Sequence, residues 1–219
     1  DYTPANTTEK GVEWTSSDEN VATVDENGIV KGIAEGKTTI TATSKYNSAL
    51  TATHEIEVKP VIVKTIAEAR EFNKGQYVTV QGIVTFKDSN NNYFIQDETA
   101  AIDIYKYGQD LGFEIGDEVQ VTGKLGDYEG LIQITPDSEE DYSILSSNND
   151  LPEPKLVTFA DIKTDNYQCQ RIKVEKVYLG ETSGYNTTIT NLQGEKLVIF
   201  RMPELTDIKA GDLVDIIGF

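Results

Sequence analysis

The second half of this chain repeats itself, and the repeat limits what the chain can fold into. Thr65 followed by Glu68 returns as Thr158 followed by Asp161, 93 residues on. The stretch "YVTVQGIV" from Tyr77 returns as "RIKVEKV" from Arg171, with Val78 against Ile172 at an offset of 94. "YFIQDETAAIDIYKY" from Tyr93 returns as "TITNLQGEKLVIFRM" from Thr188, with Ile102 against Leu197 at an offset of 95. Gly116-Asp117 returns as Gly211-Asp212, again at 95. Four anchors in one order, drifting by two residues, require two related modules in tandem. Modules of about 60–90 residues each bury only about 60% of their unfolded surface, so modest individual stability is expected.

Within the repeat, helix signals are scarce. Val, Ile, Thr and Tyr alternate in short runs broken by Gly, Asn, Asp and Pro every 8–12 residues, the pattern of an all-β sandwich or barrel. Thr65 and Glu68 form a capping-box pattern and Gly75 is a stop, which predicts a short helix over 66–73. A strand follows with Val78 and Val80 on one face, then a hairpin, a short connection, a strand headed by Gly-Asp, and a final strand. This order, and "FIQDETAAIDIY" in particular, resembles the OB-fold, a small five-stranded Greek-key barrel. The likeness is to single-strand-binding OB domains and to bacterial extracellular OB modules found beside nucleases. One departure is that Ala100-Ala101 stand where that family usually has a turn glycine.

The front of the chain differs. In "WTSSDENVATVDENGIVKGIAEGKTTITATS", residues 14–44, Gly28 and Gly36 fall where hairpin turns need glycine. Ile40 and Ala42 face one side of a strand, and Thr39, Thr41 and Thr43 the other. These residues resemble the bacterial immunoglobulin-like domain, group 2, over about residues 3–59 and without that family's first strand. Lys59-Pro60 marks the boundary. The expected organisation is all-β: an immunoglobulin-like β-sandwich over 1–59, an OB-fold barrel over 61–150, and a second OB-like module over 151–219. The second copy stops at the equivalent of Gly123-Lys124, without a counterpart of "YEGLIQITP" at 128–136. An incomplete second barrel is therefore expected, finished by later residues of a longer chain or by a neighbouring chain, with exposed edges either way.

Charge and chemistry narrow the function. The net charge is −18 over 219 residues. Residues 61–150 hold 17 acids and 6 bases, whereas residues 151–219 hold 10 and 8. This argues against generic attraction to nucleic acid or anionic lipid, which relies on Lys and Arg. No apolar run approaches the ~18 residues of a membrane helix, so no membrane insertion is expected. A single cysteine, Cys169, permits no internal disulfide and reads as a small packed residue at a strand start. A single histidine, His54, shares a strand face with Ala52, Ile56 and Val58, at the rim of the first core. With one of each, zinc sites of the usual kind are excluded. No nucleophile elbow, phosphate loop or dinucleotide fingerprint occurs. "DSNNN" at 88–92 starts like a calcium loop but lacks its glycine and glutamate, so a polar hairpin tip is expected. "SEEDY" at 138–142 reads as a solvated linker. No catalytic residue, metal or cofactor is expected within these residues.

What remains is a binding face. If Ile102 and Ile104 face the core, then Asp103, Tyr105 and Tyr107 face out. Exposed tyrosines on an OB sheet suit stacking against bases or sugars, although tyrosine pairs also support strands generally. Phe94, Lys87, Lys124 and Tyr128 are candidates for the same groove, and resemblance to single-strand-binding domains implies an aromatic at the position of Tyr107. The second copy would present Val198, Phe200 and Met202, with Arg201 nearby. The expected role is a non-catalytic binding or spacer region of a multi-module bacterial surface or secreted protein, with other domains lying elsewhere in a longer chain. A single-stranded nucleic acid, beside an extracellular nuclease, and a glycan are the competing ligand classes.

Overall fold

The computed structural model describes residues 11–202 and 207–219. It is all-β and forms two compact units, one running to Ile62 and the other from Val63 to Phe219. Residues 3–10 of the expected immunoglobulin-like stretch lie outside the described residues.

In the first unit, β1 (Val12–Ser16), β4 (Gly36–Ser44) and β5 (Thr51–Val58) form an antiparallel sheet, and β2 (Ala22–Val24) pairs with β3 (Val30–Gly32). Ala22 and Ile40 are buried between them. The turn at 25–28 forms as expected: the Asp25 carboxylate accepts the N–H groups of Asn27 and Ile29, and Gly28 has φ +82°. Gly28 also lies against the Trp14 ring, where a Cβ would sit 2.7 Å from the indole. His54 is exposed, paired across the sheet with Ile40.

The second unit opens with β6 (Val63–Lys64) and α1 (Ile66–Arg70). The helix is capped as predicted, with Thr65 and Glu68 exchanging both bonds of the capping box. It ends earlier than expected because the chain leaves it to reach the sheet, where the Gly75 N–H donates to the Leu125 carbonyl at 2.8 Å. Then follow β7 (Tyr77–Lys87), β8 (Asn92–Gln96), β9 (Ala101–Tyr105), β10 (Glu118–Tyr128) and β11 (Leu131–Thr135). Neighbours pair in the circular order β7-β8-β9-β11-β10-β7, closing a five-stranded barrel whose parallel step is Gln133 and Ile134 of β11 on Asp103 and Ile104 of β9. This is the OB arrangement expected from the sequence. Its core holds Ile66, Val80, Val84, Tyr93, Ile95, Ile102, Ile104, Phe113, Val121 and Ile134. The stretch read as a solvated linker instead forms a 3₁₀ turn at Glu139–Asp141 and starts β12 (Tyr142–Ser146), which pairs with β10. Tyr142 anchors it, with its ring edge-on to Phe113 at 5.4 Å.

The second module follows with β13 (Lys155–Leu156), α2 (Phe159–Ile162), a 3₁₀ turn at Asp165–Tyr167, β14 (Ile172–Ser183), β15 (Asn186–Thr190), β16 (Lys196–Phe200) and β17 (Leu213–Gly218). The repeat holds at the level of single bonds. Val84 N–H donates to the Asp117 carbonyl and Gly116 N–H to the Val84 carbonyl; Leu179, Asp212 and Gly211 make the same two bonds. Both Gly-Asp turns are closed by the aspartate, Asp117 accepting the Glu114 N–H and Asp212 the Lys209 N–H. Among the described residues, no strand joins β16 to β17 as β11 joins β9 to β10.

Candidate binding platform

Alternation on β8 and β9 decides which side chains reach the platform. Tyr93, Ile95, Ile102 and Ile104 point into the core and are fully buried. The opposite face carries Phe94, Gln96, Ala101 and Asp103, with Phe94 directly across from Asp103. The turn between the strands needs no glycine because Asp97 closes it, its carboxylate accepting the Thr99 and Ala100 N–H groups at 2.7 and 2.9 Å.

That face is covered. The segment Asp165–Arg171 of the second module lies on it, and Arg171 donates its backbone N–H to the Gln96 side chain at 2.8 Å. Gln168 donates to the Gly130 carbonyl at 2.8 Å. Arg70 of α1 spans the seam, donating to the Ala101 carbonyl, the Asp165 carbonyl and the Gln168 side chain at 2.9, 3.1 and 2.9 Å. Burial lowers the tendency of its guanidinium to stay charged, with Cys169 and Asp165 acting against that. Phe219 adds its ring to the Phe86–Phe94 pair, at 5.3 and 6.0 Å. Asp103, expected to face out, is only 1% exposed. Its strand parity is as expected, but a second module occupies the space in front of it.

The six candidate residues do not form one groove. Phe94 sits under Phe219. Lys87 pairs across the strands with Tyr93, on the opposite face from Phe94, and its ammonium is 5.4 Å from the Tyr93 ring. It donates to the Phe113 carbonyl and to Glu114, and the Glu114 bond holds it more firmly charged than an ordinary lysine. Lys124 lies over the Tyr77 ring at 5.4 Å. Tyr105 is half-buried opposite Asn92. Tyr107, 89% exposed, follows the end of β9, and Tyr128 ends β10 beside the tight turn at Glu129-Gly130. An open groove of about 590 Å³ beside Gln96 is rimmed by Asp97, Glu98, Glu118 and Asp150 against the single cation of Lys64, a lining that disfavours anions. The "DSNNN" tip is satisfied internally, Asp88 accepting the Asn90 and Asn92 N–H groups.

The equivalent face of the second module is open. Cross-strand register places Thr188 where Phe94 stands, Val198 where Asp103 stands and Phe200 where Tyr105 stands. Val198 is 61% and Phe200 62% exposed. Tyr185, 68% exposed at the β14–β15 turn, brings its ring to 6.0 Å from Phe200. The Arg201 guanidinium lies 5.6 Å from Tyr185 and 5.1 Å from Phe200. Met202, expected on this face, turns inward against the core because Arg201 adopts φ +56° and breaks the alternation. Sequence reasoning overlooked Tyr185; the signal was its place beside Gly184, at a hairpin tip next to the platform strand. The result is a cation resting on two exposed rings, an arrangement that can stack on a flat ligand and offer it positive charge.

Among the described residues, no group of His, Cys, Asp and Glu is placed to hold a metal, and no helix is long and apolar enough to cross a membrane.

Residues 1–54 match the bacterial Ig-like domain (group 2) family. The chain is 54% identical over 56 residues to a 3-O-alpha-D-galactosyl-alpha-L-arabinofuranosidase of Bifidobacterium longum, covering 26% of this chain and 5% of that protein. It is 34% identical over 142 residues to Endonuclease YhcR of Bacillus subtilis, covering 57% of this chain and 11% of that protein. A fructan beta-fructosidase of Streptococcus mutans is 30% identical over 109 residues, covering 48% of this chain and 8% of that protein. The chain thus spans about a tenth or less of these relatives' length. Because the first unit ends at Ile62, a match over 57% of the chain must extend into the second unit. The immunoglobulin-like and barrel modules are non-catalytic domain types, and the matches cover small parts of much longer proteins named as enzymes.

Proposed function

We propose that this chain is a non-catalytic binding region of a multi-module bacterial surface or secreted protein, and that the second barrel carries its ligand-contact face. The observation that carries this reading is the contrast between the two sheets. The first barrel's platform is filled by protein, whereas the second presents Phe200, Tyr185 and Arg201 to solvent on the nearly neutral part of the chain. An extended ligand with flat faces and some negative charge suits that set. Tyr107 is the most exposed aromatic of the first barrel among the described residues and is the place for a secondary contact.

A single-stranded nucleic acid is the favoured ligand, in an accessory role beside a nuclease. The similarity to a protein named as an endonuclease, running past the first unit into the second, supports it. The two relatives named as glycosidases support a glycan instead. Fluorescence anisotropy with labelled single-stranded DNA, and in parallel with labelled arabinan and fructan oligosaccharides, separates the two. Loss of one stacked base is worth about 1–3 kcal/mol, so Phe200→Ala should weaken DNA binding by roughly tenfold or more. Arg201→Ala should weaken it further at low salt and flatten the salt dependence. Oligosaccharide binding lost in Phe200→Ala, without DNA binding, would transfer the reading to glycans. No binding of either, or binding indifferent to Phe200, would end it.

A further inference from the structure

A carboxylate without a full set of partners lies between the two barrel modules. Asp103 is almost wholly buried, and its Oδ1 has no hydrogen-bond partner. Its other oxygen receives a long bond from the Gln133 amide, at 3.3 Å. β9 carries it, β8 runs beside it with the Tyr93 N–H turned toward it, and β11 supplies Gln133. The titratable groups near it are the Asp88 carboxylate, at the β7–β8 hairpin, and the neutral thiol of Cys169, which burial pushes up, from the segment of the second module that covers it. Neither is a cation. Arg70, the nearby base, is directed at Ala101, Asp165 and Gln168.

We propose that the seal between the second module and the first barrel's sheet is a reversible closure governed by protonation of Asp103. With the carboxyl neutral, the second module sits on Phe94, Gln96 and Asp103. With it ionised, an unpaired buried charge must be kept out of water, and separation of the modules relieves that cost. Opening exposes the platform that an OB barrel otherwise presents. The direction of titration agrees. Burial, then the nearby Asp88 charge, raise the Asp103 pKa to about 7 against the opposing Gln133 and Tyr93 bonds. In the opened state water reaches the carboxyl, and it returns toward its ordinary value. Closure is then unaffected below about pH 4 and weakens as pH rises from there to about 7. Above about pH 7 it does not weaken further, since the carboxyl is ionised in both states.

The chain carries its own reporter. Cys169 is the single cysteine and is buried in the same seam. Labelling of Cys169 in the full chain by a thiol reagent, from pH 5 to 8.5, reads the opening. Comparison with Asp103→Asn at each pH cancels the pH dependence of the thiol itself. The ratio of wild-type to Asp103→Asn rates should climb by up to roughly tenfold per pH unit toward pH 7 and then level off. Arg70→Ala, which removes two bonds across the seam, to Asp165 and Gln168, should speed labelling at every pH. A ratio that stays flat overturns the proposal. If circular dichroism shows Asp103→Asn unfolded, amide exchange on the wild type decides, corrected for intrinsic rates at pH 5.5 and 7.5. Faster exchange at the higher pH confined to β8, β9 and residues 165–171 supports the closure, and any other pattern rejects it.

Discussion

Gly123 and Gly218 occupy the same place in the two Gly-Asp-headed strands, yet they do different work. A Cβ on Gly123 would lie 2.6 Å from the Thr135 carbonyl oxygen and 2.7 Å from the Ile134 side chain. The residue is glycine because β11 passes directly over it to close the barrel. At Gly218 no described atom lies within 4 Å of such a Cβ. Gly123→Ala should therefore push β11 off β10 and cost about 1–3 kcal/mol, as overpacking does. Gly218→Ala should stay within about 0.5 kcal/mol of wild type. Urea unfolding followed at the second unit's own transition checks both; equal effects would mean that the strand crossing is not what holds Gly123.

Among the elements, α1 has importance beyond its single turn. A five-residue helix has little stability of its own. It is held by its surroundings: Thr65 accepts the Glu68 N–H, Asp97 the Ile66 N–H at 2.7 Å, and Thr99 the Ala67 N–H at 3.1 Å. Asp97 thus caps the helix and closes the β8–β9 turn at once, and the helix in turn holds Arg70 across the seam. Thr65→Ala should cost about 1 kcal/mol, the usual loss for a cap. Asp97→Ala should cost about twice that or more, because several N–H groups lose their acceptor together. Thermal unfolding of the two variants tests the ranking. The capping boxes, the hairpins and the repeat were legible because each is written in residues close along the chain. The second role of Asp97 was not, since its helix partner lies 31 residues away. The covering of Phe94 and Asp103 escaped for the same reason. Parity tells which face a side chain takes, but not what another module places against it. Arg201 shows a third limit: one residue at φ +56° turned Met202 inward, and no pattern of residue types announces that.

For the molecule as a whole, two sets of carboxylates pull the pH dependence of stability in opposite directions. Asp88, Asp110, Asp161 and Asp215 are held below the usual carboxylate range, Asp110 first by the Tyr93 hydroxyl, Asp161 by Thr158 and Asp215 by Lys173, with Asp88 held by the Asn92 and Asn90 bonds against its own burial. What they contribute is present above their ordinary pKa and is lost as pH falls through the lower, folded one. Asp103 is raised instead, from 3.8 to about 7. For a raised acid the folded state binds more protons than the unfolded state between those values, so stability falls as pH rises through that window and then levels off. The second unit should be most stable in mildly acidic solution, where the first set is still ionised and Asp103 is already neutral. Asp103→Asn isolates the second effect, because an amide at 103 adds only an offset that does not vary with pH. Its stability relative to wild type should grow between about pH 4 and 7, by at most on the order of 4 kcal/mol, since each pKa unit is worth about 1.4 kcal/mol. Above pH 7 the difference should be constant. Urea midpoints of both proteins from pH 4 to 8.5 measure it. A constant difference across that range would show that Asp103 is already ionised at the acid end, and that the seam tolerates its charge.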